Sequence, residues 1–392
     1  MGALKNTPPR ILFLVNVDWF FLSHRLEIAR AVRDRGAEVW VGAASTGCEE
    51  QMKREGFHFV PIPFTRSGRN LFEEMNTVGS IVRLLKSAKP DLIHNVTIKP
   101  VLYGSIAARI VHATATVNAI SGMGYLFITP GWIGRVARIP IGLLYRIALG
   151  GSRCRVIFQN PDDIEFFVSN GLVDRENVSL IRGSGVDVEK FVPSPERPGI
   201  PVVMLASRML KDKGVGELLE AARHLKEWNV PCRIVLVGDP DPGNPASVSR
   251  KELESWQEEG CIEYWGQKEG MERVLPLASV VVLPSYREGI PKVLLEAASV
   301  GRPIVATDVP GCREAVREGW NGYLVPPRDP RGLAGAIRVL VENPELRARM
   351  GANGREMAKE EFRVEKVVAS TITVYESLLC GEFPGFFTSD TA

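Results

Sequence analysis

Val280-Val-Val-Leu-Pro-Ser-Tyr-Arg-Glu-Gly-Ile-Pro-Lys-Val-Leu-Leu-Glu-Ala-Ala298 is the stretch that decides the fold. The apolar run Val280 to Leu283 is short and unbroken, the pattern of a strand buried on both faces in a parallel sheet. Pro284 ends it, and Gly289 lets the chain turn sharply. Pro291 suits the first turn of a helix, where its missing N–H is not needed. Leu294, Leu295, Ala297 and Ala298 then surround Glu296 with apolar sequence. Strand, tight turn and helix make one βα unit of an α/β protein.

The alternation continues in both directions. Before this unit come a strand at Val202 to Ala206, a helix from Val215 to Trp228, and strands at Arg233 to Val237 and Ile262 to Tyr264. After it come a strand at Ile304 to Ala306 and helices at Pro330 to Val341, Pro344 to Glu361 and about Val364 to Leu379. An earlier series has strands at Ile11 to Val17, Glu38 to Val41, Asp91 to His94 and Val156 to Gln159. Its helices are expected at Ser23 to Asp34, Thr77 to Ser87 and Val101 to Ile110. Between the two series, Phe191 to Pro201 holds four prolines in eleven residues and reads as a linker. The expected fold is α/β, with two Rossmann-like doubly wound domains facing across a cleft. The first domain spans 1–190, the linker 191–200 and the second domain 201–362. A helix over 363–380 can pack back on the first domain, and 381–392 form a flexible tail.

Composition narrows the class. The 392 residues are 45% hydrophobic and 24% charged, which excludes a disordered, collagen-like or coiled-coil chain. With 48 Lys+Arg against 46 Asp+Glu, the net charge of +2 does not fit a nucleic-acid-coating surface. Charge is uneven, however: residues 1–160 carry 20 basic and 10 acidic residues, leaving 28 and 36 for residues 161–392. No acid lies between Asp91 and Asp162, where Lys99, Arg109, Arg135, Arg138, Arg146, Arg153 and Arg155 stand. A solvated basic surface and an anionic partner, phosphorylated substrate or acidic membrane, both account for this. Six scattered cysteines without a C-x-x-C pair indicate neither a zinc site nor a disulfide framework. The polar start and the absence of a run of ~20 apolar residues predict a cytoplasmic protein, peripheral to the cytoplasmic face of the inner membrane.

The chemistry is expected around Glu288 and Glu296. The N–H groups of Ile290, Lys292 and Val293 at a helix start form an anion site. Two acids beside it suit a hydroxyl-rich ligand such as a sugar or ribose, since carboxylates accept from hydroxyls. Ala206-Ser-Arg-Met-Leu-Lys-Asp-Lys-Gly214 also follows a strand and precedes a helix, placing Arg208 and Lys213 where a diphosphate would lie.

These motifs resemble the retaining nucleotide-sugar glycosyltransferases of glycosyltransferase family 4, which have the GT-B fold. The likeness rests on E-x7-E from Glu288 to Glu296, S-R-x4-K-G from Ser207 to Gly214, Asp308-Val-Pro-Gly311 and Trp320-Asn-Gly-Tyr-Leu-Val-Pro-Pro327. A narrower likeness, to bacterial enzymes extending polyprenyl-diphosphate-linked sugars for glycan, O-antigen or capsule, rests on three more motifs. They are Phe21-Leu-Ser-His-Arg-Leu26, Ile120-Ser-Gly-Met-Gly-Tyr-Leu-Phe127 and Gly183-Ser-Gly-Val-Asp187.

The resemblance implies that Arg208 and Lys213 hold the donor diphosphate and Glu296 the ribose. Glu288, the catalytic candidate, and the backbone of Gly289, Ile290, Pro291, Lys292 and Val293 would hold the transferred sugar and distal phosphate. The base would lie near Tyr264 to Gly266 and Leu283 to Ser285. It implies a UDP-sugar donor, a polyprenyl-diphosphate-linked acceptor, and neither cofactor nor metal. Where many family members have Gly-Gly after the first strand, Asn16-Val-Asp-Trp-Phe20 stands; where many have His-Gly, Ser121 precedes Gly122. Asp18, His24 and Ser121 are therefore acceptor-side candidates, with Arg66, Arg69 and Lys99 for an acceptor phosphate.

Other readings are weaker. Asp239-Pro-Asp241 matches the D-x-D of metal-dependent transferases, but the prolines and Gly243-Asn-Pro245 around it read as a turn-rich insertion. No G-x-G-x-x-G supports a dehydrogenase. A nucleotide-sugar epimerase or a non-catalytic nucleotide-sugar-binding subunit on the same frame are the alternatives. Arg135, Arg138, Arg146 and Arg153 share one arc of a helix and form a candidate docking face for anionic lipid.

Overall fold

The computed structural model describes residues 5, 7–65, 70–112, 115–122, 132–383 and 386, leaving aside the side chains of 132–140. The chain forms two units, Met1–Arg182 with Val367–Ala392, and Gly183–Lys366.

In the first unit, β1 (Arg10–Val17), β2 (Glu38–Ala44), β3 (His58–Pro61), β4 (Leu92–Val96), β5 (Ala115–Ile120), β6 (Cys154–Phe158) and β7 (Val178–Leu180) pair in parallel, in the order 3-2-1-4-5-6-7. Its helices are α1 (Asp18–His24), α2 (Leu26–Asp34), α3 (Glu49–Arg54), α4 (Leu71–Ala88), α5 (Ile98–Ile110), α6 (Trp132–Leu149) and α7 (Pro161–Ser169). Strand β1 is apolar from Ile11 to Val15 and wholly buried there. Ile11, Phe13 and Val15 face one layer, which includes α2, while Leu12 and Leu14 meet Ile81, Leu84 and Leu85 of α4 in the other. Strand β5 carries a buried Asn118, whose Oδ1 accepts from Asn95 Nδ2 at 2.9 Å and Ser105 Oγ at 3.0 Å. That polar interior position hid the strand from a hydropathy reading.

In the second unit, β8 (Val202–Ala206), β9 (Arg233–Val237), β10 (Glu263–Gly266), β11 (Val280–Leu283), β12 (Ile304–Thr307) and β13 (Gly322–Val325) form a parallel sheet in the order 10-9-8-11-12-13. They are accompanied by α8 (Val215–Glu227), α9 (Arg250–Glu258), α10 (Met271–Val274), α11 (Lys292–Ser299), α12 (Pro310–Ala315), α13 (Pro330–Glu342) and α14 (Pro344–Glu361). A last helix, α15 (Val364–Leu379), starts here and continues into the first unit. There Val367, Ile372, Val374, Tyr375 and Leu379 complete the layer containing Phe13. His94 Nδ1 and the Tyr375 hydroxyl meet at 2.5 Å, both fully enclosed. Both sheets are doubly wound, with the order reversing between β1 and β4 and between β8 and β11.

The proline-rich segment is not a free linker, and the units divide ahead of it, at Arg182 and Gly183. Val186 N–H donates to the Phe362 carbonyl at 2.8 Å, and Val188 and Phe191 enter the second core. Ser299 Oγ donates to the Phe191 carbonyl at 2.7 Å, and Arg302 Nη2 to that of Ser194 at 3.0 Å. Side chains of the second unit thus anchor the start of the segment by its Phe191 and Ser194 carbonyls, while Pro193, Pro195 and Pro198 stay exposed.

Candidate active site

In an open α/β sheet, the loops at the carboxyl ends of the strands part where the strand order reverses, and ligands bind in that crevice. In the second unit these are the loops after β8 and β11, the two singled out in the sequence. Two glycines hold the loops together. Gly214 has φ +74, and a Cβ there would lie 2.1 Å from the Pro284 carbonyl oxygen. A Cβ on Gly311, in the Asp308 to Gly311 turn after β12, would lie 1.3 Å from the Gly289 carbonyl oxygen. The Tyr286 N–H also donates to the Asp212 carbonyl at 3.0 Å. The motifs thus have a packing reason: three loops touch backbone to backbone, where no side chain fits.

The charged groups come together on this frame. Lys213 Nζ donates to Glu288 Oε1 at 2.5 Å, with both side chains largely buried. Arg208 Nη1 donates to Asp241 Oδ2 at 2.7 Å, its own side chain half exposed. Pro291 stands just before α11 rather than inside it. Glu296 lies one turn in, only 8% exposed, with Lys292 Nζ 3.4 Å from its Oε1. Burial pushes the Glu296 carboxyl above its ordinary range, against the pull of Lys292. The arrangement offers two cations for phosphate oxygens and two carboxylates for hydroxyls. Lysine has three N–H donors, so Lys213 can hold Glu288 and an anion together.

Asp239 and Asp241 have other duties than a metal pair. Asp241 is the partner of Arg208, a role the sequence did not signal. Asp239 Oδ1 accepts from Tyr264 OH at 2.8 Å and from the Gln267 N–H at 3.2 Å. Burial and Asp239 together push the Tyr264 hydroxyl up to about 12. Tyr286 is held likewise, its hydroxyl on Glu217 Oε1 at 2.5 Å and the Arg328 guanidinium 4.6 Å over its ring. At Ser285, fully buried, the Oγ has no hydrogen-bond partner among the described residues.

The first-unit candidates separate. Asp18 is wholly buried and accepts from the N–H groups of Trp19 at 2.7 Å, Thr46 at 2.6 Å and Cys48 at 3.1 Å, and from the Thr46 hydroxyl. These donors hold its pKa below the usual value despite burial. They take up the acceptor capacity of the carboxylate, so Asp18 fixes the 46–48 loop and is not a ligand for a substrate hydroxyl. This also explains why the helix begins at Asp18 instead of Ser23. Lys99, in the first turn of α5, donates to the Thr65 carbonyl and to Glu74 Oε1, both at 2.6 Å. Its charge is matched by Glu74 rather than open to a phosphate. His24 stacks on Phe20 at 4.0 Å, with Ser23 Oγ 2.6 Å from its Nδ1. Ser121 follows β5 and is half-buried. Arg66 and Arg69 lie outside the described residues, as do the side chains of Arg135 and Arg138.

Of the four arginines expected to face lipid, the described side chains are those of Arg146, exposed, and Arg153, half-buried. Arg146 Nε donates to the Gly171 carbonyl at 2.8 Å, and Arg153 Nη2 to Glu382 Oε1 at 2.5 Å. Among the described residues of α6, Leu143, Leu144 and Ile147 are exposed beside Arg146, while Leu71, Phe72 and Met75 stand out at the start of α4. Sequence reasoning also missed Thr97 at the end of β4, held at φ +74 and ψ 168, a region that favours glycine.

Comparisons with known proteins identify the family and the fold. The model of the glycosyl transferases group 1 family covers residues 188–357, and that of the glycosyl transferase 4-like family covers 10–160. The chain is 28% identical over 362 residues to the N,N'-diacetylbacillosaminyl-diphospho-undecaprenol alpha-1,3-N-acetylgalactosaminyltransferase of Campylobacter jejuni, covering 89% of this chain and 94% of that protein. It is 25% identical to the UDP-Gal:alpha-D-GlcNAc-diphosphoundecaprenol alpha-1,3-galactosyltransferase of Escherichia coli, over 78% of this chain and 80% of that one. Anabaena Alr3699/HepE, solved with UDP and glucose, shares the fold at TM-score 0.74 and 20% identity, over 94% of this chain and 99% of that one. Sucrose-phosphate synthase of Thermosynechococcus elongatus shares it at TM-score 0.80 and 20% identity, over 95% and 100%.

Proposed function

Because the chain belongs to the glycosyltransferases, built of a 4-like domain and a group 1 domain in the GT-B fold, we propose that it moves a sugar from a UDP-sugar to a sugar carried on a polyprenyl diphosphate, with retention at the anomeric carbon and without a metal ion. One observation carries this: Arg208, Lys213, Glu288 and the start of α11 converge where the second sheet reverses its strand order. Arg208, Lys213 and the N–H groups at the helix start stabilise the charge that grows on the leaving diphosphate, the work a divalent ion does elsewhere. Glu296 receives the ribose hydroxyls. Glu288, steadied by Lys213, receives hydroxyls of the transferred sugar. The acceptor hydroxyl attacks C1 on the face the diphosphate leaves. Its oxygen forms the new bond as the C1–O bond to phosphate breaks, and its proton passes to a phosphate oxygen of the departing UDP.

The acceptor class is supported by the two bacterial relatives, both named for undecaprenyl-diphosphate-linked acceptors. UDP is supported by the second of those names and by the ligand in the Anabaena neighbour. On the acceptor side His24 and Ser121 remain candidates, with Arg66 and Arg69 for an acceptor phosphate. Contact with an anionic membrane is supported by the basic balance of residues 1–160 and the exposed apolar residues of α4 and α6. No described helix is long and apolar enough to cross a membrane.

The test is to incubate the protein with UDP-sugars, with and without a polyprenyl-diphosphate sugar and with chelator present, and to determine the product's anomeric configuration by NMR. UDP release that needs the acceptor, survives chelation and yields the retained anomer is expected. Donor isomerisation without acceptor, binding without turnover, or an inverted product would overturn the reading.

A further inference from the structure

At the opposite end of the second sheet, where Ser279 and Pro303 lead into β11 and β12, lies a pocket of about 430 Å³. Arg302, Arg347 and Arg355 line it, with Pro193, Pro195 and Ala352 among its walls. Arg347 is neutralised by Glu196, its Nη2 2.9 Å and its Nε 3.1 Å from the carboxylate oxygens. The other two arginines are not neutralised. Arg302 is 6% exposed; its Nη2 donates to the carbonyls of Ser194 at 3.0 Å and Pro276 at 2.9 Å, and its buried Nε has no partner among the described residues. Arg355 gives Nη1 to the carbonyls of Val188, Phe191 and Ser299 and to the Ser299 hydroxyl. Among the described residues neither has an acid within ion-pair distance; burial lowers the pKa of both, against the longer-range pull of Glu196 on Arg302 and of Glu189 on Arg355.

Neutral carbonyls satisfy guanidinium hydrogen bonds without supplying the missing negative charge, and an enclosed cation without an anion is costly. Two guanidiniums without an ion-pair partner at one concave site favour a doubly charged ligand, and arginine's planar fork suits phosphate oxygens. We propose that this pocket binds a phosphoryl dianion between Arg302 and Arg355, with room for a small organic body against the prolines. It stands at the amino ends of the strands, whereas the donor loops stand at the carboxyl ends. It therefore adds a second anion site to the protein and does not depend on the donor assignment. Through Arg355 a ligand here would bear on Val188 and Phe191, just after the chain enters the second unit.

The test measures thermal midpoint against concentration of inorganic phosphate, and separately of glycerol 3-phosphate, at constant ionic strength with chloride as the balancing anion. The full chain and its Lys213→Ala variant are both used, the latter to remove phosphate binding at the donor loops. Both should show a midpoint that rises with the logarithm of concentration above Kd, by roughly 5 °C or more at a hundredfold excess. Tighter response to the ester identifies the source as a phosphorylated metabolite; equal response identifies free phosphate. Arg302→Gln should lose the response. Because that change can disturb folding, Ala352→Glu is the second variant. It places a carboxylate on the pocket wall, and should lose the response while melting higher than the parent in chloride alone. No rise in midpoint with either anion beyond that in chloride, or an unchanged rise in Ala352→Glu, would overturn the site.

Discussion

In the proposed donor site, Glu296 is a residue whose role would come at the expense of stability. Burial raises its pKa above the ordinary 4.5, so the folded protein holds that proton more tightly than the unfolded chain. The resulting stabilisation is full at acid pH and is lost as pH rises through the folded pKa. Glu296→Gln removes the buried charge. Its thermal midpoint should exceed the parent's by about 2 °C at pH 7.5, and the gap should close below the ordinary carboxyl range. Its kcat/KM should fall about 100-fold, as expected when a charged hydrogen bond to the donor is lost. Calorimetry across pH with parallel kinetics reads both effects, and a variant that melts lower at pH 7.5 would contradict the account. Gly311 makes a complementary case. Gly311→Ala must push back the Gly289 carbonyl, since the added carbon would sit 1.3 Å from it. Turnover should drop about 100-fold through misplacement of the α11 start, with a far-ultraviolet circular dichroism spectrum like the parent's. At this scale the sequence displayed the charged residues of the proposed site, because Arg208, Lys213 and Glu288 lie in the loops that follow β8 and β11 and Glu296 lies one turn inside α11. It did not display their partners. Asp241 lies 33 positions from Arg208, and Thr46 lies 28 from Asp18; only the fold brings such residues together.

Elements were most legible where burial is complete. Strands β8, β9 and β11 fall on the expected limits because each is an unbroken or nearly unbroken apolar run closed by a turn. Helices α14 and α15 do so as well. Strands β3, β7 and β13 are three or four residues long with partly exposed positions, so neither alternation nor a continuous run marks them. What α15 packs against is equally invisible in its own sequence. Its Tyr375 answers His94 of β4, 281 positions away, and the imidazole ring is also packed against Phe13. Tyr375→Phe leaves that ring nitrogen without its partner in the core. It should cost about 1–3 kcal/mol, or some 2–4 °C per kcal/mol in the midpoint. Denaturant titration followed by circular dichroism measures it, and a change within 0.5 °C would mean the contact contributes nothing.

Over the whole molecule, charge is divided along the chain. The excess of basic residues in 1–160 and of acidic ones afterwards predicts an affinity of the first unit for anionic surfaces that the net charge of +2 conceals. The protein should co-sediment with phosphatidylglycerol vesicles but not with phosphatidylcholine ones. Binding should fall at least fivefold between about 50 and 500 mM salt, as the screening length contracts below 10 Å. Replacing Leu71 and Phe72 with serine should weaken it further, since both stand exposed at the start of α4. Binding that ignores lipid charge would refute the electrostatic part of this account.

The topology also governs the order of manufacture. The first unit is assembled from both sides of the second, so the second is an insertion within it. On the ribosome, residues 183–366 emerge whole and can collapse while the opening sheet still lacks the helix that seals Phe13 and Ile11. The half made first is therefore finished last, and during that interval its open hydrophobic layer is the natural target for a chaperone.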